Sequence, residues 1–260
     1  MNELLWIKDL EINIQSDQGE RELIKGFHLK VSPQKIVALV GGSGSGKTTA
    51  GLSILRLLPD SMKVRSGEIL FDGNDLLKCS LRQMRGLRGK EISMVFQEPL
   101  SAFNPVFTIG FQIREVLRYH TNLSSDQIDE RVDHLVESVG LPDPRRVLRA
   151  YPHQLSGGMR QRAMIAQAIA ASPKLVIADE PTSSLDVTLQ AQNLELFRKL
   201  RDELRISILF ITHDLGVVRE VADEVAVLFN GAMVEFGQAK EVLREPRHAY
   251  TSELAKVLVE

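Results

Sequence analysis

The run KIVALV (35–40) leads directly into GGSGSGKT (41–48) and then into the helix-like GKTTAGLSILRLL (46–58), and no other stretch narrows the fold as far. A short Val- and Ile-rich run reads as a strand buried on both faces. Glycine-rich backbone can wrap around a dense negative charge with several N–H groups turned inward, and a helix opening there adds partial positive charge. The segment meets G-x-x-x-x-G-K-[ST] at each fixed position, in the strand-then-helix setting that a solvated Gly/Ser linker lacks. Gly41, Gly42, Ser43, Gly44, Ser45, Gly46, Lys47, Thr48 and Thr49 are therefore expected to hold a nucleotide polyphosphate. Lys47 would reach the β and γ phosphates, and the Thr48 hydroxyl would ligate Mg²⁺.

Three further apolar runs, EISMVF (91–96), KLVIAD (174–179) and ISILFIT (206–212), alternate with the helical patterns VTLQAQNLELFRKLRDEL (187–204) and LGVVREVA (215–222). This alternation predicts an α/β fold of P-loop type around a mostly parallel sheet. LLWIKDLEINI and ELIKGFHLKVS, joined by QSDQGE, predict an N-terminal antiparallel β edge. Residues 105–172 show amphipathic helices instead of strands: Ile128, Val132, Leu135, Val136 and Val139 recur at helical spacing behind a Ser124 or Ser125 cap. The expectation is one domain over 1–260, with a catalytic core of 1–104 and 173–260 and an inserted helical subdomain at 105–172. The segment KEVLREPRHAYTSELAKVLVE predicts two short helices broken near Pro246.

At 260 residues, 43% of them hydrophobic and 25% charged, the chain can bury a sizeable core, which argues against global disorder. Thirty-two Lys and Arg against 34 Asp and Glu give a net charge of −2, so no overall basic field gathers nucleic acid, and none is expected as a partner. Cys79 stands alone, which excludes an intramolecular disulfide or a Cys-rich metal site and fits a reducing cytoplasm. No apolar run approaches the roughly 18 to 20 residues of a membrane span, and MNELLWIKDLEI lacks the basic head and apolar core of a signal peptide. The protein is expected to stay inside the cell and to meet a membrane only through a partner.

In KLVIADEP, a buried strand delivers Asp179 and Glu180 to its C-terminal edge, where an open α/β sheet presents ligands. Asp179 is expected to hold Mg²⁺, directly or through water. Glu180 is expected to be the general base that polarises the attacking water.

LSGGMRQR (155–162) begins its serine 23 residues before Asp179 and resembles the signature motif of ABC ATPases. Gln97 after ISMVF, SSLD (183–186) and His213 after ISILFIT complete that family's set, in its order, over essentially the whole chain. The resemblance implies ATP hydrolysis by two nucleotide-binding domains closing head to tail around two ATP molecules. Ser156, Gly157 and Gly158 would then contact the γ-phosphate held by the opposite subunit. It also implies His213 on the γ-phosphate, Gln97 sensing Mg²⁺ and water, and Asp186 at the dimer interface. In this family the adenine usually stacks on an aromatic residue of the first hairpin. The corresponding position here is Ile14, which lacks that stacking contribution of about 0.5–1.5 kcal/mol, so poor discrimination between ATP and GTP is expected.

FQEPLSAFNPVFTIGFQI and EPRHAYTSEL look like the branch of the family that powers import of peptides, nickel and related small solutes. The implied partners are membrane permease subunits, a second ATP-binding subunit (a homodimer copy or a sister ATPase) and, indirectly, a solute-binding protein. The implied location is peripheral, on the cytoplasmic face of the cell membrane. Gly42 and Phe103 stand where the peptide branch more often has Glu and Leu, a slight lean toward nickel. Many peptide-branch members carry a Cys-rich tail for an iron–sulfur cluster; with only Cys79 present, none is expected. The alternative is a soluble ABC-type ATPase of a cofactor-assembly or phosphonate-cleaving complex, which shares the motifs. A DNA-repair ATPase would need a long coiled coil, and the 131 residues between Lys47 and Asp179 hold no sustained heptads.

Overall fold

A computed structural model describes residues 3–16, 19–183 and 186–256. Two long strands open the chain, β1 (Leu5–Ser16) and β2 (Gly19–Val31), paired antiparallel so that Ser16 faces Gly19. Their alternation puts Leu5, Ile7, Ile24 and Phe27 in the core and leaves the charged residues of β2 outside. β3 (Ile36–Val40) is buried at each of its positions and runs through the glycine-rich loop into α1 (Lys47–Ile54). β4 (Met62–Phe71) pairs antiparallel with β1, and β5 (Asn74–Asp75) extends it, completing a sheet of order β2-β1-β4-β5.

The capped helix α2 (Leu81–Leu87) leads to β6 (Ile92–Val95), after which the chain turns helical. There α3 (Pro99–Ala102), α4 (Ile109–His120), α5 (Ser125–Ser138), α6 (Pro144–Arg149) and α7 (Gly157–Ile169) follow one another. Their apolar stripes, among them Ile113, Leu117, Val132, Leu135 and Ile165, merge into one cluster with Val95, Val176 and Ile208 of the sheet. The alternation then resumes with β7 (Leu175–Asp179), α8 (Val187–Leu204), β8 (Ser207–Thr212), α9 (Leu215–Val221) and β9 (Glu224–Phe229). β10 (Ala232–Gln238), α10 (Ala239–Arg244) and α11 (Ala249–Lys256) follow. The second sheet has the order β10-β9-β3-β8-β7-β6, parallel except for β10.

The fold differs from the sequence reading at particular places. α1 ends at Ile54 rather than running to residue 58 because Arg56 turns left-handed, with φ 51°. The Leu57 N–H then reaches back to the Leu52 carbonyl at 2.9 Å, and Arg88 Nε donates to the Leu55 carbonyl at 2.8 Å, closing the helix end. Strands β4, β5, β9 and β10 and helices α2, α3 and α6 were not foreseen. Among the described residues, no helix is long and apolar enough to cross a membrane.

Candidate nucleotide site

Four adjacent parallel strands deliver the site at their C-terminal edge. The glycine-rich loop leaves β3, Gln97 follows β6, Asp179 ends β7, and His213 follows β8. Gly41 lies so close to the Leu228 carbonyl of β9 that a Cβ there would collide with it. Gly46 has φ 104°, a backbone open to glycine, and stands at the N-cap of α1; no side chain caps that helix, which leaves its first turn to a ligand. A cavity of about 730 Å³ opens here, within the range of ligand pockets. Its walls include Gly42, Ser43, Gly44, Gly46, Lys47, Thr48 and Thr49, together with Ile14, Gln97, Glu180 and His213. Gly41 and Ser45 are buried behind this wall, the Ser45 hydroxyl without a partner.

Lys47 is 6% exposed and turns back on its own loop, donating to the Gly41 carbonyl at 2.8 Å and the Gly42 carbonyl at 3.0 Å. Burial lowers its pKa, against the pull of Glu180 and Asp179. Asp179 is 4% exposed and accepts from the Thr48 hydroxyl at 3.1 Å. Burial raises its pKa and the Glu180 charge adds to this, against Thr48 and Lys47. Each buried charge is thus disfavoured where it stands. The donors on offer, a carboxylate and a hydroxyl, are hard oxygens that fit Mg²⁺. No group of three His, Cys, Asp or Glu side chains assembles among the described residues.

Glu180 adopts φ 43°, in the left-handed region that costs a non-glycine residue on the order of 1 kcal/mol. Its N–H donates to the Ile211 carbonyl at 2.9 Å, which extends the β7–β8 pairing by one step and holds that conformation. Both carboxylate oxygens are engaged: Gln97 Nε2 donates to Oε2 at 3.3 Å, and His213 Nδ1 lies 3.1 Å from Oε1. The three polar residues expected to share the chemistry therefore do meet.

On the opposite wall, Ile14 pairs across the sheet with Arg21 of β2 and with Met62 of β4. Residues directly opposite share a face, so Arg21, Ile14 and Met62 form a row, and all three line the cavity with Leu23. Arg21, Leu23 and Met62 were missed by sequence reasoning. Phe27 lies in the core and Trp6 beneath Lys8 and Lys30, and neither ring lines the cavity.

The signature residues stand apart from that wall. Ser156 caps α7, accepting from the Met159 N–H at 3.3 Å, while Gly157 lines an adjoining cavity of about 560 Å³ with Gln97, Glu180 and His213. Ser156 and Gly158 line neither cavity. Asp186 is exposed, caps α8 through the Leu189 N–H at 2.9 Å, and also lies outside both. Of the SSLD segment, Ser184 and Leu185 fall outside the described residues.

A family model described as ABC transporter matches residues 24–183, from the second strand through the loop after Glu180. The chain belongs to that family. It is 47% identical over 249 residues to the oligopeptide transport ATP-binding protein OppD of Bacillus subtilis (strain 168), covering 95% of this chain and 70% of that protein. It is 44% identical over 255 residues to the dipeptide transport ATP-binding protein DppD of the same organism, covering 98% and 76%. The fold superposes with a TM-score of 0.81 on the ATP-binding cassette MJ0796, solved as a dimer in a post-hydrolysis state bound to ADP and Pi. That match is 25% identical and covers 90% of this chain and 98% of the other. The chain is thus an ATP-binding ABC ATPase, the energy-coupling subunit of an importer.

Proposed function

We propose that this ATPase powers uptake of peptides through a membrane permease. The observation that carries the reading is that similarity to oligopeptide and dipeptide transport proteins spans 95% and 98% of the chain. The lean toward nickel gains nothing from these relatives. Gly42 has no side chain and Phe103 is 3% exposed, so neither residue is placed to choose a cargo.

In this reading the polyphosphate lies on the glycine-rich loop and the first turn of α1, and Lys47 leaves the carbonyls of Gly41 and Gly42 to meet it. Thr48, Asp179 and Gln97 would hold Mg²⁺, which would supply positive charge against the phosphates. Glu180 takes the proton of the attacking water, while Gln97 and His213 fix its two oxygens so that the carboxylate is already aimed. A second ATP-binding subunit supplies Ser156, Gly157 and Gly158 to the γ-phosphate and meets this one near Asp186. The helical segment 105–172 carries exposed Val106, Phe107 and Tyr119, apolar surface suited to burial by a permease on the cytoplasmic side of the membrane. A solute-binding protein would deliver cargo to that permease. Deleting the gene and following labelled di- and oligopeptides beside labelled nickel tests the reading. Loss of peptide uptake is expected; loss of nickel uptake with peptide uptake intact overturns it.

A further inference from the structure

The glycine-rich loop is tied from a distant part of the chain. Gly42 N–H donates to the hydroxyl of Tyr250 at 2.7 Å across 208 positions of sequence, joining the loop to the first turn of α11. The tyrosine is itself held on two sides. Its ring packs on Phe229 at the end of β9, with centroids 4.2 Å apart and planes tilted by 31°. Just before it, the N–H groups of Arg247 and His248 both donate to the Glu235 carboxylate of β10, at 2.9 and 3.1 Å, and the Tyr250 N–H donates to His248 Nδ1 at 3.2 Å.

The opposing surfaces fit. A Cβ at Gly42 would meet the Tyr250 hydroxyl at 3.1 Å, tighter than ordinary contact, so the hydroxyl occupies the space a side chain would need. Tyr250 does not line the nucleotide cavity, whereas Gly42 and Ser43 do, so any effect on nucleotide passes through the loop backbone. Lys47, the side chain that a polyphosphate draws away, holds the carbonyls at 41 and 42, and the Gly42 carbonyl also accepts from the Ser45 N–H at 3.2 Å. Once Lys47 turns to phosphate, Gly42 keeps the local bond from the Ser45 N–H and the bond to Tyr250, which anchors the loop to a distant element.

We propose that Tyr250 is a positioning residue for nucleotide binding: it fixes the Gly42 peptide so that the following loop N–H groups are preset for the polyphosphate. Preorganisation of this kind lowers the ordering cost of binding and leaves the chemistry at Glu180 alone. The effect therefore belongs in KM and Kd rather than in kcat.

The test is Tyr250→Phe in the full chain, which removes the hydroxyl and keeps the ring on Phe229. One net hydrogen bond predicts a rise of about 3- to 10-fold in KM for ATP and in Kd for a non-hydrolysable ATP analogue, with kcat within about 2-fold. Gly42→Ala, which displaces the same hydroxyl, should give a similar rise, and the double variant should be no worse than the larger single one, because both remove one tie. Unchanged KM and Kd in Tyr250→Phe, or a fall in kcat at unchanged KM, overturns the proposal, as does full additivity of the pair. Lys47→Ala serves as reference. If it abolishes analogue binding while Tyr250→Phe is silent, the ATP site stands and the tie alone falls.

Discussion

At the scale of single residues, the site gathers two buried charges and one strained carboxylate. Lys47 and Asp179 are each shifted toward their neutral forms by burial, and Glu180, whose N–H is tied to the Ile211 carbonyl in a left-handed backbone conformation, has its carboxylate met by Gln97 and His213. Glu180→Gln keeps the shape, exchanges one acceptor oxygen for an amide donor, and cannot take a proton. It should lower ATP turnover by about 10² or more with Kd for ATP within a few-fold; wild-type turnover would remove Glu180 from its role. The wall opposite the P-loop supports a different prediction if the adenine lies against it. Arg21, Ile14 and Met62 offer flat, apolar and cationic contact but no ring and no fixed donor–acceptor pair. Competition binding should therefore show ATP preferred over GTP by less than about 100-fold, near 2.7 kcal/mol, and Ile14→Tyr should tighten both nucleotides by adding stacking of about 0.5–1.5 kcal/mol. A larger natural preference would mean that another group reads adenine.

At the scale of elements, what could be read in advance follows how local the signal is. β3, β7 and β8 are unbroken apolar runs, and Gly41 to Thr48 is a contiguous pattern, so periodicity and spacing located them. β4 reads MKVRSGEILF, half buried and laden with charge, because one of its faces meets solvent and its place is set by pairing with β1. β9 and β10 did carry a local sign that was passed over: Asn230 and Gly231, both with positive φ (49° and 84°), sit between apolar strands as a tight hairpin turn requires. Tyr250 and Arg21 could not have been found this way, since nothing in EPRHAY or GERE points to a loop some 200 residues away or to a strand neighbour's register. The tie to Tyr250 also depends on Glu235. Burial works to raise that carboxyl, yet donors led by the Arg247 N–H outweigh it and hold it below the ordinary range. Because the folded value is depressed, Glu235 stabilises α11 fully above the unfolded value of about 4 and loses that contribution as pH falls through the folded value. The melting-temperature gap between wild type and Glu235→Gln should thus be widest near neutral pH and shrink below about pH 4; a constant gap would deny the carboxylate this role.

At the scale of the whole molecule, the P-loop and the signature of one copy do not line a common cavity. The P-loop cavity holds Lys47, Gln97, Glu180 and His213 but neither Ser156 nor Gly158, although α7 ends its N-terminus in a serine and two glycines suited to an anion. A symmetric pair resolves this if each copy lends its signature to the other's nucleotide. Two defective proteins then become a test. Lys47→Ala lacks a phosphate anchor but keeps its signature, and Ser156→Arg blocks its signature but keeps Lys47. Each alone should hydrolyse ATP at a small fraction of the wild-type rate. Mixed in equal amounts, half of the dimers formed at random contain one copy of each, and each such dimer has one site of two assembled from intact halves. Activity should therefore recover to about a quarter of wild type, on the assumption that copies exchange freely and sites act independently. The wild-type chain must hydrolyse ATP alone for the mixture to be informative, and that is expected of a homodimer. If it does so and the mixture stays as inactive as its components, signature and P-loop serve the same copy, and the head-to-tail arrangement is wrong for this protein.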